Sequence, residues 1–161
     1  DLNAAPRSET AANTLHTCTP SHQPFPPGEA VFCADPAPME SARVVRVVDG
    51  DTIRVKLAGR EETVRFYGID TTERGEPCFS EASRRTAELV GPEVRLRRDV
   101  RERDRYGRLL RYVYTSTGLS IGAEMVSEGL AHAWRADGAL RVPLIALEEA
   151  ARASATGCLW D

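Results

Sequence analysis

A single lysine, Lys56, stands among 21 basic residues, so the positive charge of this chain is carried almost wholly by arginine. Its 161 residues contain no apolar run near the roughly 18 to 20 residues that a membrane-crossing helix needs, which excludes that class of span. No CxxC or Cys/His spacing is present, which argues against a zinc site. The spaced acidic loop of an EF-hand is missing as well, so a calcium-loop module does not explain the acidic residues. The three histidines, His16, His22 and His132, fall in no catalytic pattern. A net charge of -3 argues against wholesale polyanion binding, so any such function has to rest on local patterning.

What is present is ordinary for a globular domain: 42% hydrophobic and 28% charged residues, on a chain long enough for one real core. Residues 1–41 are different. Seven of the ten prolines lie there, with few large apolar residues, which reads as an extended or partly disordered arm ahead of a domain over residues 42–161. The first residue is Asp1 rather than methionine, which suggests that a segment has been removed; a cleaved signal peptide fits, as does truncation of a longer chain. Four cysteines in such a chain suggest an exported, oxidised protein with two disulfides. Of the three connectivities, Cys18–Cys33 with Cys78–Cys158 is favoured, because the first pair closes a loop in the arm.

The domain is organised around Val47–Glu73. Alternation over Thr52–Leu57 and again over Glu62–Ile69 predicts two half-buried strands, with Ala58-Gly59-Arg60 as the turn. A β-branched run from Ala42 to Val48 precedes them, broken at Asp49-Gly50. Ser80 is read as the cap of a helix through Val90, before Gly91-Pro92. Strands follow over Val94–Arg98 and Arg108–Tyr114. Ser120 caps a short helix through Glu128, whose stripe is Leu119, Ala123, Val126 and Leu130 and whose end is Gly129. Pro143 suits the first turn of a last helix carrying Leu144, Leu147 and Ala151, stopped by Gly157. Five short strands with a helix after the third make an α+β plan, mainly β: a five-stranded OB-fold barrel with three helices.

A hairpin brings its outer ends together, so Asp51 and Asp70 can meet. These hard oxygen donors, with the Thr71 carbonyl as a third, suit Ca²⁺ or Mg²⁺. Glu73 lies just beyond, placed to orient or deprotonate a water. Arg65 and Arg108 supply guanidinium groups that match a phosphodiester as it gathers charge under attack. Together these describe metal-assisted phosphodiester hydrolysis. From Arg84 to Arg111 ten arginines, Arg105 among them, stand against five acids, a candidate phosphate-tracking surface. For Tyr112, Tyr114 and Trp134, packing in the core or at its rim is the expectation.

The ordered set Asp49-Gly50-Asp51-Thr52, Arg65 with Gly68 to Glu73, and Asp104-Arg105-Tyr106-Gly107-Arg108 resembles the staphylococcal nuclease (thermonuclease) family over roughly Arg43 to Trp160. The resemblance implies that Asp51, Asp70 and the Thr71 carbonyl hold Ca²⁺. It implies Glu73 as general base, Arg65 and Arg108 on the phosphate, and Tyr106 beside a bound nucleotide, with Arg105 as its neighbour in substrate binding. It implies an enzyme that cuts DNA or RNA to 3′-phosphate ends. With the cysteine reading the expectation is a secreted nuclease, and monomer is the default state. One position departs: Thr72 stands where the family has proline, so a looser Glu73 and a weaker enzyme are expected. A Cys78–Cys158 bridge would restore rigidity there. Two other readings compete: a nucleic-acid-binding OB-fold module without catalysis, and an extracellular domain that uses the acids for calcium alone.

Overall fold

In the computed structural model, Cys18, residues 31–33 and residues 39–161 are described. The strands are β1 (Glu40–Asp49), β2 (Thr52–Leu57), β3 (Arg60–Phe66), β4 (Ile69–Asp70), β5 (Glu93–Arg97), β6 (Leu109–Thr115) and β7 (His132–Ala133). The helices are α1 (Phe79–Leu89), α2 (Ile121–Ser127) and α3 (Arg141–Ala153). Five strands close a barrel in the order β1-β2-β3-β6-β5. All neighbours are antiparallel except β3 and β6, which run parallel from Val64↔Leu109 to Phe66↔Arg111. A closed barrel leaves no unpaired edge within it, and its interior is filled by side chains.

The alternation read from the sequence is what fills it. Ile53, Val55 and Val64 are fully buried, and Val94 and Leu96 join them from β5. Alternate residues point to opposite faces of a strand, so Arg54, Lys56, Thr63 and Arg65 lie on the outer face. The β2–β3 turn uses left-handed backbone at Ala58 and Gly59, φ 50° and 79°, the primed-turn geometry that matches strand twist. Val31, Phe32 and Cys33, within the segment read as an arm, are buried against the same core. The Phe32 carbonyl accepts the Ser120 amide there. The rest of residues 1–41, apart from Cys18 and residues 39–41, lies outside the described residues.

Three details depart from the sequence reading. The predicted strand over Glu62–Ile69 is two elements. The chain breaks at Tyr67-Gly68, and Ile69-Asp70 leaves the barrel to pair with β7, Ile69↔Ala133 and Asp70↔His132. Gly68 makes the break possible: its φ is +88°, and a Cβ there would lie 2.7 Å from Leu144 Cδ1. Ser80 does not cap α1. The residue before the helix is Cys78, in left-handed backbone at φ 73°, with no side-chain cap. The last helix ends at Ala153 with Ser154 as its cap, before Gly157 is reached. Ser120 does cap α2, accepting the Ala123 amide at 3.1 Å, and α3 begins two residues before Pro143.

Both expected disulfides are present. Cys18–Cys33 ties the first described residue to the core, and Cys78–Cys158 joins the start of α1 to the segment after α3.

Candidate active site

The tight connection at Asp49-Gly50-Asp51 is held from within: the Asp51 amide donates to Asp49 Oδ1 at 3.1 Å. Gly50 is required by close approach. A Cβ there would come within 2.9 Å of both Ala82 Cβ and Thr71 Cγ2. With no side chain at this position, the turn packs directly against residues 71 and 82. Asp51 is thereby brought beside the end of β4, where its Oδ2 accepts the Thr71 amide at 2.9 Å. Its Oδ1 accepts the Thr52 hydroxyl at 3.0 Å.

Arg65, the cross-strand partner of Thr52, stands between the two aspartates. Its Nη2 lies 3.2 Å from Asp51 Oδ2 and 2.9 Å from Asp70 Oδ1. Nη1 donates to the carbonyls of Phe66 and Ile69 at 2.8 and 2.9 Å. Those carbonyls belong to the residues on either side of the break at Tyr67-Gly68. The same break that releases β4 therefore fixes the arginine. Burial raises the Asp70 carboxyl above its ordinary range; Arg65 pulls it back and the nearby Asp51 pushes it up. Asp49 is raised too, by burial and then by Asp51. These shifts mark a place where negative charge is gathered and not fully compensated.

A cavity of about 360 Å³ opens beside Arg65. Its walls are Arg65 through Ile69 from one side, Arg101, Asp104, Arg105, Tyr106, Arg108 and Leu110 from another, and Trp134. The segment carrying Arg101 to Arg108 is tied to the barrel by Arg111, which is 1% exposed. That guanidinium donates to the Glu102 carboxylate at 2.8 Å and to the Glu102 carbonyl at 3.2 Å. Within the segment Asp104 is the organiser. Its Oδ1 accepts the amides of Tyr106 and Arg108, each at 2.9 Å, and its Oδ2 accepts Arg108 Nε at 2.6 Å. Those contacts hold the Asp104 carboxyl below its ordinary range despite its burial. Arg105 and Arg108 lie over the Tyr106 ring, 4.8 and 5.4 Å from its centroid. On the far wall Asp137 takes Arg101 Nε at 2.5 Å and Trp134 Nε1 at 2.9 Å.

Seven of the eight residues singled out for metal, phosphate and nucleotide thus fall into two groups that meet at Arg65: Asp51, Asp70 and Thr71 on one side, Arg105, Tyr106 and Arg108 on the cavity side. Glu73 lies outside both, in the exposed loop after Thr71. The Glu73 amide donates to Glu76 Oε2 at 2.7 Å, and its own carboxylate has no bonding partner among the described residues. Thr72 donates its hydroxyl to the Pro77 carbonyl at 2.7 Å, a cross-loop bond in place of a proline ring. Two contributors escaped the sequence reading: Asp104 as the clamp on Arg108, and Leu110 in the wall. Asp104 carried a signal, since an aspartate three residues before a glycine favours a turn in which its own side chain binds backbone amides. Trp134, expected in the core or at its rim, lines the cavity. Among the described residues no group of three or more His, Cys, Asp or Glu side chains is gathered for a metal, so the acidic site is a pair supported by backbone.

The family model described as "Staphylococcal nuclease homologue" matches residues 63–161, more than half of the chain. That span contains every singled-out residue except Asp51. Thermonuclease of Staphylococcus hyicus is 40% identical over 99 residues, which cover 57% of this chain and 55% of that protein. Endonuclease YncB of Bacillus subtilis is 43% identical over 94 residues, covering 53% and 44%. Protein ParB of Escherichia coli is 35% identical over 129 residues, covering 73% and 71%. The chain spans about half the length of the first two of these relatives.

Proposed function

The chain belongs to the staphylococcal nuclease family, and from that membership we propose that it is an exported, monomeric nuclease that hydrolyses phosphodiester bonds of DNA or RNA to 3′-phosphate ends. The observation that carries the reading is the position of Arg65, shared between a carboxylate pair and a cavity lined by three further arginines. The expectation of an oxidising, extracytoplasmic compartment is supported by the two disulfides.

The acidic pair fits a hard divalent cation. Its donors are all oxygen, the Asp70 carboxyl is raised by burial beside Asp51, and a cation there would offset both. Asp51, Asp70 and the Thr71 carbonyl would hold Ca²⁺. When bound, it would supply positive charge to a phosphate oxygen and a place for water. The protein's own groups do the rest. Arg108, its Nε held by Asp104, meets the phosphate with its remaining N–H donors. Arg65, fixed between the carboxylates and carbonyls, adds its positive charge and its Nε–H. Both stabilise the charge that grows on the phosphate oxygens in the transition state. Asp104 keeps Arg108 aimed. Glu73, unpartnered and exposed, takes the proton of the attacking water. Tyr106, with Arg105 on its face, borders the nucleotide.

The test is incubation with heat-denatured DNA in Ca²⁺ or in excess chelator, beside a Glu73→Gln variant. Cleavage that requires Ca²⁺ and falls at least a hundredfold in the variant is the expected result. Wild-type protein that binds the DNA yet cuts it under no divalent metal would overturn the reading in favour of a binding module.

A further inference from the structure

Outside the cavity, the outer face of the barrel carries a second basic feature with a definite construction. In β1 the pairing shifts between Val44↔Val55 and Arg46↔Arg54, so Val45 is an extra residue, a β-bulge. Without it, Arg43 and Arg46, three positions apart, would face opposite sides of the strand. With it, both point outward. Arg43 then stands directly opposite Lys56, and Arg46 directly opposite Arg54. Two cross-strand pairs of like charge on one face are unfavourable for the isolated ribbon. Arg54 is compensated by hydrogen bonds to Glu61 Oε1 at 3.0 Å and to Thr63 at 2.9 Å. On their other flanks Arg43 stands opposite Glu93 and Lys56 opposite Glu61. Arg43, Arg46 and Lys56 are exposed and have no ion-pair partner among the described residues. This concentration sits on a chain of net charge -3, so it is a local arrangement and not a reflection of overall charge.

The face is continuous with the candidate active site. Thr52, Arg54 and Lys56 alternate outward along β2, and their partners on β3 are Arg65, Thr63 and Glu61. Arg65 therefore begins the row in which Arg54 and Lys56 follow. At about 3.3 Å per residue the levels are roughly 6–7 Å apart, so the row extends about 13 Å from the level of Arg65.

We infer that Arg43, Arg46 and Lys56 form a track for the phosphate backbone of a polynucleotide strand as it leaves the catalytic cavity. The inference rests on the nuclease reading for the direction of the strand, and on charge complementarity and continuity with Arg65 for its place. A polyanion laid on this face meets the exposed guanidinium and ammonium groups of Arg43, Arg46 and Lys56, the two arginines brought to one side by the bulge. It is held by charge without base readout, so its contribution is independent of sequence and weakened by salt. A dinucleotide bound in the cavity would not reach it.

The experiment compares the wild type with an Arg43→Ser/Arg46→Ser/Lys56→Ser variant on long denatured DNA and on a dinucleotide, over a range of salt. The track predicts a KM about tenfold higher for the long strand, with kcat and dinucleotide cleavage unchanged. Loss of three phosphate contacts at about 0.7 each reduces the log–log salt slope by about 2. The melting temperature of the variant should stay within a few degrees of the wild type, since all three side chains are exposed, which separates a lost track from lost folding. Lys56→Glu alone should give a smaller effect in the same direction. An unchanged KM and slope would overturn the proposal, as would an equal loss on both substrates, which would locate the effect in the cavity. So would track-dependent binding to anionic phospholipid vesicles with DNA binding unaltered. If the wild type cuts neither substrate, anisotropy of labelled denatured DNA reads the track by itself. Weaker binding by the triple variant then upholds the track while the catalytic reading falls.

Discussion

Arg65 satisfies two carbonyls and two carboxylates with one planar guanidinium, and no other side chain has that shape. An ammonium is a point donor and cannot span the set. Arg65→Lys should therefore lower kcat/KM by about a hundredfold or more, although charge is conserved. Steady-state kinetics on denatured DNA reads it, and a loss under tenfold would mean that charge alone suffices. Asp70 gives a pH prediction. Its folded carboxyl lies above the unfolded value, so the folded chain binds this proton more tightly. Ionising it therefore removes stability as pH rises through that window. A divalent cation acts in the opposite sense, because it needs the ionised form. Ca²⁺ should raise the melting temperature near neutral pH, and the shift should shrink as acid protonates Asp70, whose raised carboxyl begins to take up its proton above the ordinary aspartate range. In Asp70→Asn the Ca²⁺ shift should vanish while the cation-free protein melts no lower. A shift that persists in that variant would remove Asp70 from the cation site.

Charge pairs also join the elements around the cavity. Asp137 and Arg101 join the segment before β6 to the segment before α3, and the Asp137 carboxyl is held down to about 2, chiefly by the Arg101 hydrogen bonds. A depressed folded value contributes stability above the unfolded pKa and loses it as pH falls through the folded one. The side chains are 29% and 42% exposed, so water screens the pair and its worth is about 1 kcal/mol. Asp137→Asn should lower the urea-unfolding free energy by about that amount at pH 7, and the gap should close on acidification to about pH 2. A constant gap would assign the loss to the Trp134 contact instead. Within β2 and β3, by contrast, nothing but alternation was needed to read the strands. The break at Tyr67-Gly68 was missed there, although Gly68 and Ile69 fall out of the alternation and a glycine inside a strand pattern is itself a signal of a bend. What ends the strand is the approach of Leu144 to Gly68, a contact from 76 positions away in the sequence.

At the scale of the whole molecule the same division holds. The barrel and helix order and the acidic ends of the hairpin were legible, since they follow from periodicity, turn residues and motif spacing. The cysteine pairing is one of three connectivities open to the sequence, favoured because Cys18–Cys33 closes a loop in the arm. The bulge at Val45, the role of Asp104 and the place of Val31–Cys33 in the core were not legible, because each depends on a partner that only folding supplies. Cys78–Cys158 shows how the scales connect. It spans 80 residues, and closing so long a loop restricts the unfolded chain by about 4 kcal/mol in the chain-entropy account. Its first half-cystine also ends the exposed loop that carries Glu73 and precedes α1 without a side-chain cap. A Cys78→Ala/Cys158→Ala variant should therefore lose about 3–4 kcal/mol by denaturant titration. It should also lose activity at temperatures where it remains folded, because the loop has one fewer anchor. On the proposed mechanism the fall should appear in kcat more than in KM, since there Glu73 would act on water and the substrate grip would lie with Arg65, Arg105 and Arg108. Should kcat stay at the wild-type value in the folded variant, the bridge stabilises the fold alone. The Thr72 hydrogen bond to Pro77 would then be what holds the loop in place.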